Sequence, residues 1–359
     1  MFDVIILGLG GMGSAAAAHL AQRGKRVLGL DQFSPPHDKG SSHGKNRVIR
    51  QAYYEDPSYV PLLLRASELW RELGPGLLTI TGGLMIGRPE SEVVAGSLRS
   101  ARQHGLPHEL LDAEQIRRRF PQFTPSNEMV ALFEKNAGFV RPEAAVQAHL
   151  DRAARLGATL RFDEKVAGFD GAKVTTTRGT YEAGQLVITA GSWVTDFVKL
   201  PVTVERQVQF WFEPTADMDE LPIWIWETDD GSHPYGLPAM EGAVKVALHD
   251  HNQDRACTAD TIDRTVHERE VEAMRACLRD RIPGLPGRLV EAKTCLYTST
   301  ADGHFILDRH PSHANVLIVS PCSGHGFKFT PVIGELVADL VCDGRTRYDI
   351  DLFSLRRFP

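Results

Sequence analysis

The sequence lacks long apolar runs, paired cysteine motifs and blocks of like charge, and each absence removes a class of protein. No stretch approaches the roughly 18 apolar residues that carry a helix across a bilayer, so no membrane association is expected. The N-terminus, "MFDVIILGLGG", has neither a basic leader nor a small-residue cleavage site and reads as a first strand. The five cysteines (Cys257, Cys277, Cys295, Cys322 and Cys342) are odd in number and scattered without a CxxC. That argues against a zinc site, any other metal centre or a disulfide framework, and for a reducing cytoplasm. A net charge of −6 with no Lys/Arg block leaves no footprint for nucleic acid. Internal repeats and low-complexity segments are missing as well. What remains is an ordinary globular composition, 42% hydrophobic and 24% charged, in a chain of 359 residues. That length suffices for one large domain or two intimate ones.

The densest information lies in "DVIILGLGGMGSAAAAHLAQRGKRVLGLD". Residues 4–7 form a short continuous apolar run, the mark of a strand buried on both faces of a parallel sheet. Gly8, Gly10 and Gly13 then make G-x-G-x-x-G and open an Ala-rich helix with Ala17 and Leu20 on its inner face. Gly24 ends that helix, and "RVLGLD" is a second strand closing on Asp31. Gly8 permits the tight turn, Gly10 lets a pyrophosphate approach the backbone, and Gly13 lets helix and strand pack closely. The helix N-terminus faces the phosphates and Asp31 accepts from a ribose. The motif alone does not separate FAD from NAD.

A nicotinamide dehydrogenase would continue with further βαβ units. Here Asp31 leads into a long loop, "QFSPPHDKGSSHGKNRVIRQAY", of the kind that is usually functional. Helical periodicity returns over 56–73, strands are expected over 77–87 and 128–133, and helices over 88–104 and 113–119. A helix begins near Pro142 and is capped by Gly157, with a strand after it. Residues 173–198 read as a hairpin feeding a buried strand at 186–189, then a helix carrying Trp193. Residues 206–250 are strongly β, 260–280 helical, and 315–320 a buried strand followed by a final helix. The alternation of nucleotide-type and β-rich segments suggests two interleaved domains. Trp224 and Trp226 alternate on one strand face and are read as core or cavity wall. The stretch "SPCSGHGFKF" raises its own question: Cys322 and His325 as nucleophile and base, or glycines making room for a large ligand.

The chain resembles the monomeric sarcosine oxidase and N-methyl-L-tryptophan oxidase family of flavoenzymes, within the D-amino-acid-oxidase-like group, from end to end. The resemblance is carried by "GLGGMGSAAAAHLAQRG", "PPHDKGSSHGKNRVIRQAYYED", "YVPLLLRASELW", "ITAGSWV", "YGLPAMEGAVKVALH", "CLYTSTADGHFILDRHP" and "SGHGFKFTPVIGE". It implies an α/β fold with a Rossmann-type FAD-binding domain (1–80, 140–205 and 296–359) interleaved with a β-rich α+β substrate domain (81–139 and 206–295). It implies FAD held covalently as an 8α-S-cysteinyl link to Cys295. Arg47 is then expected against the flavin, and Arg50 and Lys328 on the substrate carboxylate. Lys245 is expected to activate oxygen near flavin N5, with Tyr235, His249 and His325 around the substrate. Ser41, Ser42 and His43 fall in the loop touching the flavin, and Gly324 and Gly326 flank His325 against it.

Taken without the resemblance, Lys245 in "AVKVAL" reads as an edge-strand lysine and Cys295 as a small buried hydrophobe. The chain departs from the family's pattern at Lys45, Gln51, Ala301 and Cys322, positions that bear on the amine portion of the substrate. The expected activity is oxidative demethylation of an N-methyl amino acid with O2, giving an imine, formaldehyde and H2O2, by a monomer whose partners are a small amino acid and O2. Other readings stand beside it: an oxidase of a cyclic secondary amino acid of the pipecolate or proline type, a flavin amine dehydrogenase using another acceptor, and a non-catalytic FAD-binding protein acting as a redox-responsive partner.

Overall fold

The computed structural model describes residues 2–358 apart from Asp219 and Pro321, with Gln253 described in its backbone alone. The first strand, Phe2–Leu7, organises the nucleotide-type half. Val4 and Ile6 point into one core with the helices Gly11–Gln22 and Thr330–Cys342, while Ile5 and Leu7 point into another with Leu28, Leu30, Leu186 and Ile188. A strand covered on both faces must be apolar throughout, which is why the alternation expected of a half-exposed strand is missing. Ala17 and Leu20 are both fully buried on the inner side of the first helix.

The first sheet has Phe2–Leu7 at its centre, with Val27–Leu30 and the end of Gly179–Ile188 as parallel neighbours. Thr159–Arg161 extends it on one side and His313–Ser320 on the other, both parallel. The long strand Gly179–Ile188 changes partner along its length. Its first half pairs antiparallel with Lys173–Thr176, and its second half enters the parallel sheet. Thr189, Gly8 and Ser320 therefore stand together at the carboxyl edge, where open α/β sheets bind their ligands.

The second sheet is eight-stranded, in the order Leu289–Thr300, Val202–Phe212, Ala243–His249, His233–Met240, Ile223–Trp226, Gly83–Gly87, Val130–Glu134 and Glu109–Asp112. All its pairings are antiparallel except that of Ile223–Trp226 with Gly83–Gly87. A small antiparallel sheet of Arg47–Ile49, Gly138–Val140 and Leu78–Ile80 joins the two halves.

Several boundaries differ from the sequence reading. The strand expected over 77–87 is two strands, Leu78–Ile80 and Gly83–Gly87, because the amides of Thr81 and Gly82 both turn to donate to Ala137 O. The helix expected from residue 88 starts at Glu92, where the Ser91 hydroxyl caps it. The helix expected over 260–280 begins only at Glu268, with His267 and Glu270 forming a capping box. After Ala190 the chain makes the 3-10 helix Gly191–Asp196 instead of an α-helix. No helix among the described residues is long and apolar enough to cross a membrane, and all five cysteines are free thiols.

Candidate active site

One long cleft runs from the carboxyl edge of the first sheet to the inner face of the second. It is lined at one end by Asp31, Glu164 and Lys165, in the middle by Gly8, Gly10, Ser41, Ser42, Arg47 and Cys295, and at the far end by Arg50, Tyr235, His249, Gly324, His325, Gly326 and Lys328. Seventeen residues were singled out from sequence; among them Gly13, His43 and Lys245 do not form its wall.

Gly13 lies behind the wall because it is the packing glycine: a Cβ there would sit 1.8 Å from Gly8 O and 2.6 Å from Thr189 Oγ1. Gly10 is the opposite case. A Cβ there would meet only Ser42 Oγ, at 3.6 Å, so open space lies before the backbone where a pyrophosphate needs it. Ser42 Oγ accepts from Gly11 N at 3.0 Å and ties the loop to the helix N-terminus. Asp31 accepts from Leu9 N (2.7 Å) and Phe33 N (2.9 Å); burial still raises its pKa. Near it, Glu164 Oε2 is buried without a hydrogen-bond partner. The cradle, the acid at the strand end and a carboxylate oxygen whose only neighbour of opposite charge among the described residues is Arg161, 4.0 Å away, fit the adenosine and pyrophosphate of a dinucleotide.

In the middle of the cleft Cys295 lies beside His43, Arg47 and Lys245. Arg47 donates to Ser41 O and Asn46 O, each at 3.0 Å, and its Nη2 reaches Cys295 Sγ at 3.8 Å. Burial opposes ionisation of the thiol, but His43, Arg47 and Lys245 outweigh it and bring its pKa down from 9 to about 6. A thiolate is the nucleophilic form of cysteine. Gln209 Oε1, which lines the cleft, is buried without a hydrogen-bond partner. A polar atom left unpaired beside this thiol suits a polar ring system docking there. Lys245 stands behind this region. It is 1% exposed, in the interior of the sheet between Val202–Phe212 and His233–Met240, so the edge-strand reading does not hold. Its ammonium donates to Gly44 O (2.9 Å) and Asn46 O (2.8 Å), and burial, then Arg47, pushes its pKa well down.

At the far end Arg50 and Lys328 converge, together with a residue the sequence reading passed over. Glu55 takes Arg50 Nη2 with both carboxylate oxygens, at 2.6 Å each. The guanidinium also lies 4.2 Å from the ring centroids of both Tyr53 and Tyr54. Burial opposes the charge on Arg50, yet Glu55 holds its pKa above the ordinary value; burial likewise opposes the Glu55 carboxylate, and Arg50 outweighs it to bring Glu55 to about 2. Arg50 Nη1 keeps only a 3.4 Å contact with Ala52 O, so part of the fork remains for a second anion. Lys328 Nζ donates to His325 O at 2.7 Å. Glu134 fixes the approach of this segment by accepting from Gln51 N and Ala52 N. Glu55 lies in the quoted "YYED", but nothing in a linear sequence says that it turns back onto Arg50.

His325 and Cys322 do not form a catalytic pair. His325 Nε2 bonds Gly303 O at 2.9 Å and must donate there, so Nδ1 accepts from the Tyr53 hydroxyl. Burial lowers the His325 pKa to about 3 and raises that of the Cys322 thiol, which accepts from Ser320 Oγ at 3.4 Å. His249 Nδ1 pairs with Tyr297 OH at 3.1 Å, and burial holds its pKa well below 6.5. Gly324 leaves room for the Tyr297 ring, which a Cβ would meet at 2.4 Å. Of the four departures from the family's pattern, Cys322 alone lines the cleft. Trp224 and Trp226 pack with Phe123 in the core, and Ile225 between them faces the cleft instead.

A Gly-cradled dinucleotide site continuous with an end that carries Arg50 and Lys328 defines a dinucleotide-dependent oxidoreductase, and the comparisons with known proteins make it a flavin-dependent one. Residues 3–340 match the family described as FAD dependent oxidoreductase. The chain belongs to that family. It is 51% identical to a monomeric sarcosine oxidase of Streptomyces avermitilis over 376 residues, covering 99% of this chain and 97% of the relative. It is 35% identical to an N-methyl-L-tryptophan oxidase of Yersinia pestis, covering 99% of both. Among solved structures, NikD, an unusual amino acid oxidase essential for nikkomycin biosynthesis, superposes with a TM-score of 0.85 at 26% identity, over 98% of this chain and 97% of that one. The expected fold, an α/β nucleotide-binding half with a β-rich substrate half, is the fold of this group, and the protein is an FAD-dependent oxidoreductase acting on a carbon–nitrogen bond.

Proposed function

We propose that the protein oxidises an N-methyl amino acid of the sarcosine type with O2 to an imine and H2O2, water then hydrolysing the imine to formaldehyde and the demethylated amino acid. The observation that carries this reading is the pair of cations at the far end of the cleft. Arg50 and Lys328 are buried and converge where a substrate carboxylate is needed, in a chain half identical to a sarcosine oxidase. Bound FAD would supply the two-electron chemistry that converts the amine to an imine and returns the electrons to O2. Gly8, Gly10 and Asp31 would hold its dinucleotide part and Ser41 and Ser42 its ring system, with His43 behind them, and the Cys295 thiolate would anchor it covalently as an 8α-S-cysteinyl link.

The chain's own residues do the rest. Arg50, through its unspent Nη1, and Lys328 hold the carboxylate and so fix the N-methyl carbon in one orientation. Tyr235, His249 and His325 enclose the amine; with both imidazoles kept neutral by burial, neither adds a positive charge against the approach of the substrate nitrogen. The amine must react uncharged, so turnover rises with pH through the range in which the bound amine loses its proton. Arg47 supplies positive charge on the flavin side, where oxygen is reduced, and Lys245 adds to it in its protonated form. We assign the FAD domain to 1–80, 140–201 and 301–359 and the substrate domain to 81–139 and 202–300, in a monomer of the cytoplasm; the bounds expected at 205 and 295 move because Val202–Phe212 and Leu289–Thr300 pair along their whole length in the second sheet.

An anaerobic screen of the holoenzyme tests the function. Sarcosine and other N-methyl amino acids are expected to bleach the flavin, and air to restore it with one peroxide per turnover. Bleaching by pipecolate or proline alone would overturn the demethylase reading, and absence of peroxide would overturn the oxidase reading.

A further inference from the structure

The turn at residues 44–46 is held from both sides by charge. Gly44 and Lys45 adopt φ of +99° and +66°, which directs their amides one way and the flanking carbonyls the other. Gly44 N and Lys45 N donate to Glu143 Oε1 at 2.6 and 3.1 Å. Gly44 O and Asn46 O accept from Lys245 Nζ at 2.9 and 2.8 Å. Glu143 stands in the first turn of the helix Pro142–Arg155, where the helix N-terminus favours its charge. Lys245 belongs to the second sheet. The turn is thus a spacer between an anion of one layer and a cation of the other.

The Lys45 side chain adds a third hold. Its ammonium bridges Glu241 (3.0 Å) and Glu291 (3.2 Å) and lies 5.9 Å from the Trp211 ring centroid; the Lys245 ammonium lies 5.5 Å from the same ring. Glu291, Trp211 and Lys245 are directly paired across three neighbouring strands and so occupy one row on one face. Glu241 is 74% exposed, so its arm of the bridge is weak, whereas Glu291 at 27% is the firmer one. A lysine ammonium has three N–H groups. With two committed to the turn, the direction of the third is set only while both carbonyls stay where they are.

We propose that Lys45 and Glu143 are positioning residues for Lys245, clamping the turn whose carbonyls aim its ammonium. The consequence for oxygen rests on the reading of Lys245 given above; the clamping itself does not.

The test uses the holoenzyme with Lys45→Met, which keeps the stem and removes the charge, and Lys45→Arg, which can still bridge two carboxylates. Glu143→Ala and Lys245→Met complete the set. Acylation of native protein, read lysine by lysine by mass spectrometry, reports the freedom of Lys245. It is expected to be labelled roughly fivefold faster in Lys45→Met and Glu143→Ala, the scale of losing a partly exposed anchor, with Lys45→Arg like the parent and exposed Lys173 unchanged. Reoxidation of chemically reduced enzyme by O2 is expected to slow by about tenfold in the same two variants, as for a charge displaced by a fraction of its reach. Unchanged labelling of Lys245 overturns the proposal. So does faster labelling of every lysine without rescue by Lys45→Arg, which would mean general loosening. Faster labelling of Lys245 alone supports the clamp; if reoxidation is then normal in Lys245→Met as well, the oxygen reading of Lys245 fails and the clamp stands.

Discussion

Lys328 changes charge within the working pH range, and binding of a simple carboxylate should follow it. Burial, then repulsion from Arg50, brings its pKa from 10.5 to about 7, with Glu55 offsetting only part. Arg50 stays charged throughout, so the variable part of the grip is Lys328 alone. At a pKa of 7 the protonated fraction falls from about nine-tenths at pH 6 to about one-tenth at pH 8. A small carboxylate with no amine should therefore bind about tenfold more weakly at pH 8 than at pH 6, close to 1.4 kcal/mol. The perturbation of the flavin spectrum on titrating acetate-type ligands across pH 6–9 measures this, and Lys328→Met should remove the slope while weakening binding at pH 6. Stability moves the other way. A lysine whose folded pKa lies below its unfolded value favours the fold as it deprotonates, so weaker binding above pH 7 cannot be laid to unfolding on its account. A dissociation constant flat from pH 6 to 9, or a slope that persists in Lys328→Met, would refute the assignment.

Three further outcomes are expected. Glu55→Gln leaves the Arg50 guanidinium, 2% exposed, without its counter-ion and should cost about 3 kcal/mol in denaturant unfolding; an unchanged midpoint would show the pair carries little. Gly13→Ala places a Cβ 1.8 Å from Gly8 O, so the turn must open and the purified protein should hold much less FAD per chain; full occupancy by absorbance would contradict the packing role. Cys295→Ser should release the yellow colour into the supernatant on acid precipitation, where the parent protein keeps it in the pellet; colour in the parent's supernatant would rule out the covalent anchor.

The legible parts of this fold are those in which neighbouring residues must cooperate. G-x-G-x-x-G can be read because turn, cradle and close packing make their demands within six consecutive positions, and Asp31 because a strand ends there. Burial of both faces of Phe2–Leu7 shows directly as an unbroken apolar run. The far end of the cleft is different. Arg50, Glu55 and Lys328 meet only through the fold, and sequence alone supplies no reason to group them; Arg50 and Lys328 are placed by the resemblance, and Glu55 by the structure alone. Lys245 shows the same limit from another side. Alternation says that a strand has two faces, not whether strands cover it on either edge, so a fully interior lysine looked like an edge device. Trp224 and Trp226 were assigned one face correctly, but parity does not say which face borders the cleft. Helix starts moved by several residues where a side-chain cap, at Ser91 or His267, decided them.

The pairings of the first sheet also bear on when the cofactor can be acquired. Its central ladder joins Leu7 to Ile188, and Ile188 in turn to Ile318. The floor of the nucleotide site is therefore assembled from the start, the middle and the end of the chain, and loop closures of that length are slow. A chain in which His313–Ser320 has yet to dock lacks a completed carboxyl edge on which to seat a dinucleotide. Cofactor capture thus follows the docking of His313–Ser320, and each chain that has become yellow has already joined strands more than three hundred positions apart.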